Sequence, residues 1–282
     1  MIAVVDYQKG NLKSVERGLI AAGGEAFITA DASEIAKADA IVLPGVGAFA
    51  DAAATMCELG QMEAIRDRVR AGVPFLGICL GEHLMFEHGV EGAPEGNPAC
   101  GLGLLPGTVV AMPRCDAQGK TFKVPHVGWN TIEMPACNGG AAVPSCGEGG
   151  GNAALSSGGA GGGAALSSAA KRGLFEHGAF PGSTPQPGGD LAFPDSVPQA
   201  GSELAFACPL FDGIAPGEYF YFTHSYIAPT GSHTIAETTH STRFTSAVQF
   251  GECAFGVQFH PEKSSDAGAR VLANFVAIAA RG

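Results

Sequence analysis

Apolar residues in the first hundred positions follow two patterns, continuous runs and helical spacing. Four continuous runs predict buried strands, at residues 2–6, 25–29, 40–43 and 73–78. Two sets of apolar residues recur at helical spacing: Leu12, Val15 and Leu19, then Met62, Ile65 and Val69. Asp31 and Glu34 resemble the capping pair of a short helix, and a further helical run is predicted from Cys79 to about Glu87. Strands that alternate with helices predict an α/β fold with a mostly parallel sheet covered on both faces.

Shorter strand signals follow residue 100. They lie at residues 108–112, 121–124, 219–227, 233–239, 244–250 and 254–259. A C-terminal helix is predicted to be capped near residues 264–266. Its buried side carries Val271, Leu272, Phe275 and Ile278. The last strands and this helix complete the single domain that the first half of the chain begins.

Residues 138–203 have a different composition. They contain 17 of the 42 glycines, and the sequence AALSS occurs in them twice, at residues 153–157 and 164–168. A segment rich in Gly, Ala, Ser and Pro buries too little apolar surface to offset the entropy lost on ordering. We therefore expect a flexible, low-complexity surface insertion in one domain that spans residues 1–282, in preference to a functional lid.

Composition limits the classes of partner. The chain has 27 acidic and 16 basic residues, a net charge of −11, which disfavours nucleic acid and anionic membranes as partners. No apolar run approaches the roughly 20 residues of a membrane helix, and the first residues lack a basic leader. The eight cysteines form no C-x-x-C pair, so neither a metal site nor a disulfide framework is indicated. We expect a cytoplasmic protein with reduced thiols.

Cys79 lies where a buried strand is predicted to meet a helix, in the sequence Gly77-Ile78-Cys79-Leu80-Gly81. Small residues two positions before and after a nucleophile allow the tight turn that exposes its side chain. The start of a helix favours a thiolate, and the amide of Leu80 is placed to stabilise an oxyanion. The alternative is that Cys79 is a small core residue, the commoner position of a free cysteine.

His260 follows the apolar strand that ends at Phe259 and begins the sequence His-Pro-Glu. The carboxyl ends of strands form the edge at which α/β sheets place their sites. Glu262, two residues later, can reach the imidazole nitrogen that does not face the sulfur. This is the nucleophile, base and orienting-group arrangement of a catalytic triad. The alternative is a polar exit from the strand without chemistry.

A glycine-rich turn, LPGVGAF at residues 43–49, follows another buried strand. Gly45 and Gly47 permit backbone conformations that direct amides outward, so this turn can supply a second oxyanion donor. Glycine turns after strands also bind phosphates. Because neither a G-x-G-x-x-G pattern nor a Walker lysine follows, the nucleotide interpretation is weak.

With these motifs, the chain resembles the class I (triad) glutamine amidotransferases. Among them it is similar to the glutaminase subunits of imidazole glycerol phosphate synthase. The resemblance lies in the cysteine turn and His-Pro-Glu, and in the segments DY at 6–7, GN at 10–11, LPGVGAF at 43–49, GLG at 101–103, KVPHVGWN at 123–130, YFTHSY at 221–226 and GVQFHPEKS at 256–264. It implies a flavodoxin-like α/β fold, mostly parallel, with an antiparallel section.

The resemblance also implies roles. Cys79 is the nucleophile, His260 the general base and acid, and Glu262 orients His260; no cofactor takes part. Oxyanion amides are implied at Leu80, Val46 and Gly47, with Gly45 and His83 binding glutamine. The ammonia passes through a tunnel to a (β/α)₈ cyclase subunit, which makes imidazole glycerol phosphate and an aminoimidazole carboxamide ribotide in histidine biosynthesis. Residues implied at or near this contact are Asn11, Trp129, Tyr221, His224 and Lys263.

One departure from the family pattern follows the nucleophile. The family has G-x-C-x-G-x-Q, and here the last three residues are Gly81, Glu82 and His83. Neutral histidine cannot reproduce both the donor and the acceptor of an amide, and Glu82 brings a carboxylate near the thiolate. We expect weaker glutamine binding or a shifted pH profile. Two other functions stay open: a glutaminase for another synthase, such as the pyridoxal phosphate type, or a binding subunit without turnover.

Overall fold

The computed structural model describes residues 1–135 and 206–281. The predicted insertion at 138–203 lies outside these residues and stays a prediction. The helices are α1 Leu12–Ala21, α2 Ala32–Ile35, α3 Phe49–Glu58, α4 Gln61–Arg70, α5 Leu80–His83 and α6 Ser265–Ala279. The strands are β1 Ile2–Val5, β2 Ala26–Thr29, β3 Ala40–Gly45, β4 Phe75–Cys79, β5 Phe86–Gly89, β6 Ala99–Cys100, β7 Leu105–Ala111, β8 His126–Thr131, β9 Tyr219–His224, β10 Tyr226–Ile227, β11 Thr234–Thr239, β12 Arg243–Phe250 and β13 Ala254–Val257.

The main sheet has seven strands in the order β11-β12-β13-β4-β3-β1-β2. Neighbouring strands from β13 to β2 run parallel, whereas β12 is antiparallel to β13 and β11 is antiparallel to β12. Smaller sheets have the orders β10-β7-β5-β6 and β8-β9. The α/β fold with a mostly parallel sheet and an antiparallel section is therefore confirmed.

The apolar strands are buried on both faces, because helices cover both sides of the sheet. Val4 packs with α1 and α6, whereas the next residue, Val5, packs with α3 and α4 on the opposite face. This alternation is the expected period of two along a strand. Of the helix residues predicted as apolar stripes, Val15, Leu19, Ile65 and Phe275 are fully buried, whereas Leu12 is only partly buried. Within the described residues, no helix has the length and apolar character needed to cross a membrane.

The helix predicted from Cys79 to Glu87 is wrong. The helix α5 is one turn long, and Phe86 begins β5, which pairs with both β6 and β7. Backbone hydrogen bonds to two neighbouring strands outweigh the helical preference of a short apolar run, since tertiary context overrides local propensity. The stretch near Cys79 therefore carries the dipole of a single turn and not that of a long helix.

Three smaller predictions also differ from the structure. Residues 121–124 form only an isolated bridge, from Thr121 to Cys115, because Pro125 lacks an N–H and restricts the residue before it. Strand β3 continues through Gly45, which pairs with Cys79. Asp31 caps α2 through the amide of Ser33, at 2.7 Å. Glu34, however, accepts from the hydroxyl of Thr29 instead of the Asp31 amide, so the reciprocal capping pair does not form.

Candidate active site

Cys79 ends β4 with φ of +55°, a backbone conformation that is rare for residues other than glycine. The turn is possible because glycines flank it. A Cβ on Gly81 would overlap the carbonyl oxygen of Leu43, and a Cβ on Gly77 would overlap the carbonyl of Gly81. A strained residue between two close backbone approaches is typical of a functional position. The sulfur is largely buried, but it lines a cavity.

His260 lies at the same edge of the sheet as Cys79. Val257, the last residue of β13, is in parallel register with Ile78 of β4, so the residues that follow both strands emerge side by side. The amide of His260 donates to the Tyr221 carbonyl at 2.9 Å. Its own carbonyl accepts from the Ser264 hydroxyl at 2.7 Å. These bonds fix the backbone on which the imidazole is mounted.

Ser264 precedes α6 at the predicted capping position, but its side chain does not cap the helix. The hydroxyl instead donates to the His260 carbonyl and accepts from the Tyr221 amide at 3.0 Å. The predicted cap is therefore wrong at this residue. The hydroxyl bridges the histidine turn to β9 because both groups lie within its reach.

The imidazole of His260 has one nitrogen on a carboxylate and the other without a hydrogen-bond partner. Nδ1 is 2.9 Å from Oε1 of Glu262, which also accepts from the Asn11 side chain at 3.4 Å. Nε2 is buried and finds no hydrogen-bond partner within the described ranges. Because a carboxylate only accepts, Nδ1 carries a proton. Nε2 is therefore the nitrogen that can exchange a proton with Cys79.

Charge around the imidazole favours its protonated form. Burial alone would lower the pKa of His260, but interactions with the side chains of Cys79 and Glu262 raise the pKa to about 9. Burial likewise opposes the charge of Glu262, but its hydrogen bond with His260 lowers the pKa of the carboxyl group. Cys79, His260 and Glu262 can therefore form a thiolate, an imidazolium and a carboxylate, each next to the following one.

The glycine-rich turn lies beside the sulfur. Val46, Gly47 and Leu80 all line the cavity, and Gly47 has φ of +101°. The amide of Val46 donates to the hydroxyl of Tyr7 at 3.2 Å. Tyr7 is a fully buried residue that the sequence analysis did not assign to the site. Its signals were its position after the first strand and its place in the DY segment of the family resemblance.

Gly45 is not among the residues that line the cavity, and its predicted role in binding glutamine stays a prediction. It is buried in β3, and a Cβ at this position would overlap the Tyr7 hydroxyl and crowd Leu80. The glycine is therefore required by packing behind the site.

The cavity has a volume of about 390 Å³, within the usual range for a small-molecule site. Its lining includes residues of the glycine-rich turn, the cysteine turn and the segment between β9 and β10: Val46, Gly47, Ala48, Cys79, Leu80, His83, Glu91, Pro125, Thr223, His224, Ser225 and Tyr226. Glu91 was missed by the sequence analysis because it belongs to no motif. Burial raises the pKa of its carboxyl group, and a carboxylate at this position suits the ammonium of an amino acid.

Comparison with known proteins identifies the family. The sequence profile described as "Glutamine amidotransferase class-I" matches residues 3–136 and 193–279, which is most of the chain. The chain belongs to the class I glutamine amidotransferases. Curated relatives of this amidotransferase match over nearly its whole length. The protein named imidazole glycerol phosphate synthase subunit HisH of Moorella thermoacetica is 35% identical over 97% of this chain and 93% of its own. The HisH subunit of Rhodopirellula baltica is 34% identical, over 98% and 96%.

Solved structures of amidotransferases share the fold. A crystal structure of a glutamine amidotransferase gives a TM-score of 0.55 at 15% identity and covers 99% of this chain and 100% of that chain. The structure of PurLQS from Thermotoga maritima gives 0.54 at 14% identity and covers 98% and 97%. At these identities the likeness concerns the fold alone.

The departure from the family pattern has a different consequence from the one expected. Glu82 is fully buried, and neither carboxyl oxygen has a hydrogen-bond partner in the described part of the chain. Its side chain and that of Met85 both pack against Gly256, where a Cβ would overlap them. Burial raises the pKa of Glu82 well above its usual value, so the group is held neutral. The expectation that Glu82 brings negative charge to the thiolate is therefore wrong.

Four of the five residues expected at a partner contact lie together near the triad. Trp129 is 51% exposed, and its ring lies 6.0 Å from that of Tyr221 on the neighbouring strand. The ammonium of Lys263 is 6.0 Å from the centre of the Tyr221 ring. Asn11 contacts Glu262 directly. The surface therefore adjoins the catalytic side of the sheet.

His224 does not share this surface. It is buried, lines the cavity, and has its Nδ1 2.8 Å from the Tyr226 carbonyl. Its Nε2 is 3.0 Å from Nδ1 of His126, whose Nε2 is 3.3 Å from the Asn130 amide nitrogen. Because a carbonyl only accepts, each imidazole donates through Nδ1, and both rings are neutral. The His224 side chain is therefore part of the cavity wall and not of the exposed surface that the other four residues form.

Proposed function

We propose that this amidotransferase is the glutaminase subunit of an imidazole glycerol phosphate synthase. It hydrolyses glutamine to glutamate and ammonia and delivers the ammonia to a cyclase subunit. One observation carries the hydrolytic assignment: Cys79, His260 and Glu262 meet at one edge of the sheet, beside a cavity. The assignment to this synthase is supported by relatives of that name that match over nearly the whole chain.

The first half of the reaction is acyl transfer to sulfur. Nε2 of His260 takes the thiol proton of Cys79, and the thiolate attacks the carboxamide carbon of glutamine. The amide of Leu80 and an amide of the glycine-rich turn, at Val46 or Gly47, stabilise the oxyanion. As the tetrahedral intermediate collapses, the imidazolium returns its proton to the leaving nitrogen. Ammonia departs and a glutamyl thioester remains.

The second half releases glutamate. His260 accepts a proton from water, and the resulting hydroxide attacks the thioester carbonyl. The C–S bond then breaks, and the imidazolium reprotonates the sulfur. Glu262 keeps the imidazole in the productive tautomer through both halves. The carboxyl group of Glu91 binds the ammonium of the substrate at the cavity wall.

The aromatic surface formed by Asn11, Trp129, Tyr221 and Lys263 is the proposed contact with the (β/α)₈ cyclase subunit. Its position next to Glu262 supports a short route for ammonia between the two active sites. In the cyclase, ammonia reacts with the ribulosyl aminoimidazole intermediate of histidine biosynthesis. The products are imidazole glycerol phosphate and an aminoimidazole carboxamide ribotide.

Reconstitution with a cyclase subunit tests the proposal. We expect slow glutamine hydrolysis by the isolated chain and faster hydrolysis with the cyclase and its ligand. Cys79→Ser abolishes hydrolysis but leaves complex formation intact, whereas Cys57→Ser, at an exposed cysteine, changes neither. Glutamine turnover by the Cys79→Ser variant excludes Cys79 as nucleophile.

The partner surface is tested separately by calorimetric titration of the cyclase. Trp129→Ala weakens binding by about 30-fold, the effect of losing a hot-spot aromatic worth about 2 kcal/mol. The matched control is Val110→Ala, at a residue that is 44% exposed on β7, and it binds as the unmodified chain does. Equal affinities for the two variants place the contact elsewhere.

A second candidate function is a binding subunit that has lost turnover, and His83, in place of the family glutamine, favours it. An electrophilic glutamine analogue distinguishes the two functions. Labelling of Cys79 in the presence of the cyclase supports the glutaminase, and an unlabelled cysteine in an intact complex supports the binding subunit.

A further inference from the structure

A second hydrogen-bonded chain reaches the sulfur of Cys79 through side chains that are not part of the triad. Nε2 of His83 lies 2.7 Å from Oε1 of Gln258. The amide nitrogen of the same glutamine lies 3.7 Å from Sγ of Cys79, within range for a hydrogen bond to sulfur. His83 and Gln258 are both buried. The triad does not use either residue.

The chemistry of the groups fixes the direction of this chain. Oε1 of Gln258 can only accept, so Nε2 of His83 must carry a proton and donate it. Burial lowers the pKa of His83 to about 4, so the imidazole is neutral and its Nδ1 is an acceptor. With its oxygen occupied, Gln258 presents its NH₂ group to the sulfur. A reversed amide would place a carbonyl oxygen against a thiolate and would require the other tautomer of His83, with Nε2 as the acceptor.

Neighbouring groups leave this orientation without competition. The nearest carboxyl oxygen of Glu82 is 3.9 Å from Nε2 of His83, beyond a hydrogen bond. The backbone of Gln258 is held by a bond from its amide to the Ser246 carbonyl at 3.0 Å. Because Gln258 is completely shielded from solvent, bulk water does not substitute for the histidine. The buried amide therefore depends on His83 for its orientation.

We propose that His83 is a positioning residue that orients the Gln258 amide so that its N–H stabilises the Cys79 thiolate. The inference rests on the proposed function, in which that thiolate is the nucleophile. It assigns His83 a role different from the substrate-binding role implied for the family glutamine at this position. It also explains how a histidine can replace that glutamine: both residues offer a donor to Oε1 of Gln258.

The other titratable groups that act on Cys79 are Tyr7, after β1, and His260, after β13. The carbonyl of Thr223 lies 4.0 Å from the sulfur. None of these groups contacts His83 or Gln258 by a hydrogen bond in the described structure. A change at His83 therefore reaches the sulfur through Gln258.

The test is the pH profile of Cys79 alkylation by iodoacetamide, followed by mass spectrometry of the Cys79 peptide in the intact chain. His83→Leu removes the donor, and we expect the profile to move to higher pH by about one unit, which is about tenfold slower alkylation on its acidic side. His83→Gln keeps a donor and restores the original profile. A His83→Leu profile that coincides with that of the unmodified chain overturns the proposal.

A double-mutant cycle tests the route through Gln258. Gln258→Met removes the amide from the chain, and we expect it to shift the profile as His83→Leu does. In the Gln258→Met background, His83→Leu then adds nothing, since its effect passes through the missing amide. Additive shifts would instead show that His83 acts independently, and they would overturn the proposal.

Alkylation needs neither glutamine turnover nor a partner, so the inference and the proposed function can fail separately. A chain that shows these shifts but does not hydrolyse glutamine with the cyclase keeps the inference and rejects the glutaminase. A chain that hydrolyses glutamine with the cyclase but shows no shifts keeps the glutaminase and rejects the inference. Near-ultraviolet circular dichroism of each variant identifies any loss of folding, and His83→Met, which also lacks a donor, replaces His83→Leu if that variant unfolds.

Discussion

The hydroxyl of Tyr7 accepts a hydrogen bond from the amide of Val46 at 3.2 Å. Val46 is in the glycine-rich turn that is proposed to supply an oxyanion donor, so one candidate amide is already engaged by a buried side chain. Gly45 makes this contact possible, because any side chain there would overlap the hydroxyl. In this arrangement the Val46 amide must leave Tyr7 before it can serve the reaction.

Tyr7→Phe tests this competition. Removing the hydroxyl releases the Val46 amide, and we expect the isolated chain to hydrolyse glutamine about fivefold faster, the effect of one hydrogen bond worth about 1 kcal/mol. Stimulation by the cyclase decreases correspondingly. Steady-state glutaminase assays with and without the cyclase measure both quantities. An unchanged or slower basal rate contradicts the competition.

The pKa of His260 depends on the sulfur beside it. Cys79→Ala removes an interaction that raises this pKa to about 9, and burial then acts against the charged imidazole. We expect the pKa to fall by at least about one unit. Carbon-13 NMR of labelled histidine follows the titration, with Cys57→Ala as control. A His260 signal that titrates identically in both variants shows that the two side chains do not interact.

Three buried histidines make the fold sensitive to mild acid. Burial lowers the pKa of His83 and His126 to about 4 and that of His224 to about 3. Between the unfolded value near 6.5 and these values, the unfolded chain binds protons that the folded chain does not. The stability that these three histidines contribute is therefore fully present above about pH 6.5. It decreases as the pH falls, by about 1 to 2 kcal/mol per histidine at pH 5.

Urea unfolding at pH 7 and pH 5 measures this loss. His83→Gln removes one of the three groups and is expected to reduce the loss by about 1 to 2 kcal/mol, whereas His88→Gln, on the partly exposed strand β5, leaves it unchanged. His260 and Glu82 oppose part of this loss. Each has a raised pKa and stays protonated in the folded chain, whereas the unfolded chain is largely deprotonated at both residues at pH 7, so their contribution to stability grows as the pH falls. A pH dependence that is the same for His83→Gln and the unmodified chain would falsify the assignment of a neutral buried imidazole at His83.

Gly81→Ala tests how tightly the cysteine turn is packed. The new methyl group meets the carbonyl of Leu43 in β3, which cannot move without disturbing the sheet. We expect a loss of at least about 3 kcal/mol in the free energy of unfolding. Gly96→Ala is the comparison: Gly96 has φ of +74° but open space around it, so its cost is limited to about 1 kcal/mol of backbone strain. Similar losses from urea titrations of both variants contradict this packing.

The parallel sheet could be predicted because its strands are continuous apolar runs, and the edge that carries Cys79 and His260 follows from where two of those runs end. The adjacency of β4 and β13 could not be predicted, since it depends on a strand order that long-range packing determines. The shortness of α5 could not be predicted from the local sequence pattern either, because β5, which begins at Phe86, pairs with the later strands β6 and β7.

Side-chain partners within the site were the least predictable part. Gln258 lies in an apolar run and looks like an ordinary strand residue, so its contact with Cys79 depends on a rotamer and a register that no spacing reveals. Glu82 looked like a charge near the thiolate, and only its complete burial shows that it is neutral. The roles of the triad residues stay predictions that the experiments above address.

The position of β13 between β12 and β4 has a consequence for biosynthesis. Residues 80–253 must be translated before β13 exists, which takes roughly 9–35 s at ribosomal rates of 5–20 residues per second. During this interval the apolar edge of β4 is open to other strands and is a site for chaperones or for aggregation. The same delay keeps the nascent thiol apart from His260, so the proposed mechanism predicts that an unfinished polypeptide does not consume glutamine.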